Sequence, residues 1–173
     1  DHVHKVLSAL KNDLEDVAAD QICITGDLTN IALPAEFINV AAWLETLGLH
    51  REISLIPGNH DAYVRGALKQ GLSSWIPWLG DQVDTGCYGA ADFPVLWRRG
   101  PVDIIGVSTA VATPPLMASG RIGAGQLKRL RRRLNDAAEA GQTRVILLHH
   151  PPDAGAEPWR KALRDAGALR ALL

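Results

Sequence analysis

Gln21-Ile22-Cys23-Ile24-Thr25-Gly26-Asp27-Leu28-Thr29-Asn30 is a short β-prone run that stops at a glycine and continues into a polar loop. Ile53-Ser54-Leu55-Ile56 repeats the pattern, ending at Pro57-Gly58 and followed by Asn59-His60-Asp61. Between the two, Pro34 stands where a helix can start without losing a bonded N–H. Phe37, Ile38, Ala41, Leu44 and Leu47 then keep helical spacing until Gly48 stops them. Upstream, Asp1 is an N-cap before the stripe Val3, Val6, Leu7, Leu10, Leu14 and Val17. Helix, strand, helix, strand is the rhythm of a parallel sheet with crossover helices.

Working outward, residues 62–90 carry Trp75, Pro77 and Trp78 among glycines, which predicts short helical turns and loops packed by indole rings. Val95–Arg98 and Val102–Val107 read as a hairpin turning at Arg99-Gly100-Pro101. A Pro- and Gly-rich loop spans 113–123. The next helix carries Leu127, Leu130, Leu134 and Ala138 and ends at Gly141, ahead of a strand at Val145–Leu148. Trp159 to Leu173 reads as helical, interrupted at Gly167. The expectation is one α/β domain over residues 1–173, with mixed β-sheets flanked by helices.

Composition narrows the function classes. The 173 residues are 47% hydrophobic and 21% charged, a globular profile with enough chain for a core. Eighteen basic and 19 acidic residues give a net charge of -1, so no global field points to nucleic acid. The basic run at 128–133 reads as the solvated side of its helix. Two distant cysteines exclude a disulfide scaffold, and Cys23 reads as a buried small hydrophobe. No apolar stretch is long enough for a membrane span and no leader is visible, which leaves the cytoplasm as the default compartment.

Three polar clusters each follow a strand: Gly26–Asn30, Gly58–Asp61 and His149-His150-Pro151-Pro152. Taken singly, each is also ordinary turn or loop chemistry. Ligands in α/β sheets gather at the carboxyl ends of strands, so the three should converge. A carboxylate, an amide oxygen and imidazoles without thiolates suit a divalent Mn, Fe or Zn rather than a structural zinc site.

These blocks resemble the calcineurin-like metallophosphoesterases, whose order is D-x-H, G-D-x-x-D/N, G-N-H-D/E, a His before x-P, and G-H-x-H. Gly26–Asn30 matches the second block, Gly58–Asp61 the third, and His149-His150-Pro151 is similar to the fourth. The segment 123–134, with Gln126, is similar to the helix before that block. The resemblance implies hydrolysis of a phosphomonoester or phosphodiester at two divalent metals, with a small phosphoester as substrate and no membrane. It further implies that Asp27 bridges the metals, while Asn59 and His149 serve the second of them. His60 would lie against the phosphate as acid or charge stabiliser, with Asp61 holding its ring. The Leu148–Pro152 wording is nearest the bacterial cyclic-nucleotide-phosphodiesterase-like group. Neither the D-x-H nor the G-H-x-H block is found, since Val3 in Asp1-His2-Val3-His4 stands where His is needed. The segment as given is therefore expected to bind metal weakly and turn over poorly. A protein-interaction scaffold on the same fold is the alternative, against which His60 argues.

Overall fold

The computed structural model describes residues 2–81 and 92–173. The expected N-cap at Asp1, the side chains of residues 2–4 and Cys87 lie outside what is described. In chain order the regular elements are α1 (His2–Val17), β1 (Ile22–Ile24), α2 (Pro34–Leu44), β2 (Ile53–Leu55), α3 (Ala67–Gly71), β3 (Val95–Arg99), β4 (Val102–Gly106), α4 (Ala124–Glu139), β5 (Thr143–Leu147) and α5 (Ala166–Arg170). Short 3-10 turns occupy His50–Glu52, His60–Ala62 and Leu72–Trp78.

Two sheets result. Strands β1 and β2 pair in parallel with Ile22 opposite Ile53, as the crossover through α2 requires. In the second sheet, ordered β3-β4-β5, β3 and β4 form the expected antiparallel hairpin, while β5 joins β4 in parallel after the crossover through α4. Gly100 makes the hairpin turn with φ 57°, a left-handed conformation that favours glycine. The mixed α/β architecture of two sheets with flanking helices is as expected.

The larger core gathers Phe37, Leu44, Trp75, Trp78 and Trp97 around the buried β2. Trp75 stacks obliquely on Phe37, with centroids 4.9 Å apart, and donates its indole N–H to the Phe37 carbonyl. The indoles therefore do pack the interior. A second cluster of Ile105, Val107, Leu130 and Leu169 lies beneath α4. The other side of α4 is basic and wet: Lys128, Arg131 and Arg132 are exposed.

The structure departs from the sequence expectation at Cys23, along α1 and beyond Trp159. Cys23 is exposed, not buried. Side chains alternate along a strand, so Ile22 and Ile24 pack on the core and Cys23 between them points away. The stripe of α1 forms a helix, but Val6, Leu10 and Val17 are 54%, 45% and 71% exposed. Periodicity makes the helix amphipathic, while burial requires an apposed element, and the described residues place none over those three. Finally, Trp159–Leu173 is helical only at α5, and Gly167 lies inside that helix rather than breaking it. Residues 160–164 instead form turns beside 118–120, with a single β-bridge between Leu163 and Gly120. Ala118 N–H donates to Arg160 C=O, Gly120 N–H to Ala162 C=O, and Arg164 N–H to Gly120 C=O. Those bonds take up the Arg160 and Ala162 carbonyls and the Arg164 N–H, while Ala162 N–H keeps a one-turn bond to Pro158 C=O.

Candidate metal centre

The three polar clusters follow β1, β2 and β5 and meet at one end of the sheets. Two glycines allow the approach. A Cβ on Gly26, whose φ is +99°, would sit 2.1 Å from Gly58 N. A Cβ on Gly58 would sit 2.3 Å from Asp27 Oδ1 and 2.8 Å from His149 Cε1. Asp27 itself adopts φ 61°, a strained conformation for a residue with a side chain. The backbone thus spends conformational energy to aim this carboxylate.

Asp27, Asn59 and His149 converge. His149 Nε2 lies 3.1 Å from Asn59 Oδ1 and 3.4 Å from Asp27 Oδ1. The other ring nitrogen, Nδ1, is 2.7 Å from the Thr25 carbonyl, which can only accept, so Nδ1 carries a proton. In the neutral ring, Nε2 then turns a lone pair toward two oxygens that also carry lone pairs. A cation among them or a second proton on the ring removes that conflict at both oxygens. Turning the Asn59 amide would relieve it only at Asn59 and leave Asp27 Oδ1 facing the lone pair. Ligands bound at about 2.1 Å with angles of roughly 90–110° stand about 3.0–3.4 Å apart, the spacing found here. The donor set fits a divalent cation. Among the described residues no third His, Cys, Asp or Glu joins Asp27 and His149, and the third donor is an amide.

His60 stands at the margin. Its backbone N–H donates to Asp27 Oδ1 at 2.9 Å, and its Nδ1–H reaches the Asn30 carbonyl at 2.7 Å. That carbonyl fixes the tautomer and leaves Nε2 for chemistry. Asp61 was expected to hold the ring and does not: its two oxygens accept from Asp27 N–H, Gly58 N–H, Thr29 N–H and the Thr29 hydroxyl at 2.8–3.0 Å. A turn of three residues, His60–Ala62, points Asp61 inward while His60 stays at the rim. Burial pushes the Asp61 carboxyl above its ordinary range, although those donors oppose the shift.

Neighbouring histidines diverge as well. His150 is buried between the Thr109 hydroxyl, 2.6 Å from Nδ1, and the Ala118 carbonyl, 2.9 Å from Nε2. Burial lowers its pKa, and it serves as a packed neutral ring. Thr109 thus supports the His150 ring. Sequence reasoning missed Glu36, whose carboxylate accepts from the N–H groups of Asn30, Ile31 and Leu33 and so holds the loop behind His60. Its signal was present: a Glu at the third position of a helix opened by Pro34. Asp103 is paired with Arg98 at 2.8 Å.

The family model described as Metallophos, calcineurin-like phosphoesterase, matches residues 2–171. No curated protein matches this chain.

Proposed function

The chain belongs to the calcineurin-like phosphoesterase family, and from that premise we propose that it hydrolyses a phosphomonoester or phosphodiester at a centre of two Mn, Fe or Zn ions. The observation that carries this reading is the lone-pair conflict at His149 Nε2, which faces Asn59 Oδ1 and Asp27 Oδ1 with its own proton committed elsewhere. Asp27, Asn59 and His149 would hold the cations, Asp27 as the bridge. When bound, such a pair lowers the pKa of water and screens phosphoryl charge.

The residues supply the rest. Asn30 C=O holds His60 Nδ1–H, so a second proton on Nε2 is the one that can pass to the leaving oxygen. Asp61 keeps Asp27 and Gly58 in register, and with them the spacing of the ligands. Leu148-His149-His150-Pro151-Pro152 favours a phosphodiesterase of the cyclic-nucleotide type, so a cyclic nucleotide belongs in the substrate panel.

Two variants test the roles. Asn59→Ala removes a ligand, so metal content by mass spectrometry should fall and added Mn should restore part of any activity. His60→Ala keeps every ligand, so metal content should hold while the rate drops roughly 10²- to 10⁴-fold, less with p-nitrophenyl than with alkyl esters. Equal metal loss in both would make His60 a ligand or its support.

A further inference from the structure

A groove of about 310 Å³ lies between α2 and the segment 64–74. Phe37 forms part of its lining and is buried, whereas Leu33, Ile38 and Val64 line it while 48%, 61% and 52% exposed. Arg65 is the one charged residue among the described residues that line it. Water therefore covers several large apolar side chains on one face, which is costly unless something else covers them.

The groove's position identifies its occupant. One wall continues from Asn30, whose carbonyl holds His60, through Ile31 to Leu33. The other continues from His60 itself through Tyr63, whose ring centroid is 6.1 Å from that of His60, to Val64. Both walls are thus prolongations of the chain segments that position the proposed proton donor. Resting on the function proposed above, we infer that this groove receives the leaving group of the phosphoester, and that this group is an uncharged alkyl or aryl alcohol. Its volume, at the low end for small-ligand pockets, suits one ring system or a short chain.

Isothermal titration of the Mn-loaded protein with methylphosphonate and 2-naphthylmethylphosphonate, neither hydrolysable, tests this. Wild type should bind the naphthyl compound at least about tenfold more tightly, since one correctly placed apolar group is worth that much. Val64→Asp and Ile38→Asp, both at side chains more than half exposed, should abolish the ratio, leaving methylphosphonate affinity and Tm unchanged. Equal affinities in wild type, or an unchanged ratio in both variants, overturn the inference. If Mn alters neither phosphonate's affinity, the metal reading has failed and 2-naphthalenemethanol judges the groove alone. Binding that Val64→Asp removes keeps an apolar-group site there, and no binding overturns it.

Discussion

Asp61 shows how one side chain can organise a site without entering its chemistry. Four donors on two different loops converge on its oxygens, two on each. The carboxylate is fully buried, so the three backbone N–H groups would lose their acceptor without it, while the Thr29 hydroxyl also has the His60 carbonyl at 3.3 Å. Asp61→Asn keeps the shape but turns an NH₂ toward N–H groups whichever way the amide flips. It should cost about 2–3 kcal/mol, the scale of buried donors left unmet. For a chain of this size that lowers Tm by roughly 4–12 °C, readable by circular dichroism. Metal content should fall with it, since Asp27 and Gly58 lose their common anchor. An unchanged Tm would show that Asp61 does not hold the loops together.

At the scale of the element, α2 has a Leu33 N-cap that offers no side-chain acceptor. Glu36 compensates from the third helical position, and its carboxylate takes three backbone N–H groups of the loop. Burial alone would push its carboxyl up, but those three donors hold it below the usual carboxylate range. A depressed carboxyl contributes stability that is present above the unfolded-state value and lost as pH falls through the folded-state value. Glu36→Ala should therefore cost about 0.5–2 kcal/mol at neutral pH, the range for a lost cap. The gap to wild type should close as pH drops through and below the ordinary carboxylate range. Urea unfolding from pH 7 to pH 3 measures both, and a gap independent of pH would assign the loss to packing.

For the whole molecule, the critical contact is between the two sheets. A Cβ on Gly106 of β4 would lie 2.7 Å from Ile56 Cγ2, just past β2, and 2.7 Å from Trp97 on β3. The absence of a side chain there lets the sheets close up, and their closure brings His149, past β5, to the Thr25 carbonyl, past β1, across 124 positions of sequence. Gly106→Ala should destabilise the fold by about 1–3 kcal/mol through overpacking. Opening the seam should also lower metal affinity, although Gly106 is not among the proposed ligands. Calorimetry for Mn and near-ultraviolet circular dichroism of the indoles would read the two effects. A destabilised variant with intact Mn affinity would show that the site does not depend on the seam.

Much of this was local and therefore readable from the sequence. Strand, glycine and polar loop are neighbours along the chain, so Gly26-Asp27 and Gly58-Asn59 announced both the sheet and the donor set. The longer helices α1, α2 and α4 showed in their periodicity for the same reason, as did the hairpin at Gly100. Partner choice is not local. That Asp61 would serve Thr29, Gly58 and Asp27 rather than His60, that His150 would turn to Thr109, and that Cys23 would face water depended on which segments closed over them. The stretch 160–164 is the clearest case: its Arg160 and Ala162 carbonyls and Arg164 N–H pair with the backbone at 118–120 instead of continuing a helix. Propensity weighs a residue against its neighbours in sequence, and tertiary structure decides which distant group satisfies each N–H, carbonyl and apolar face.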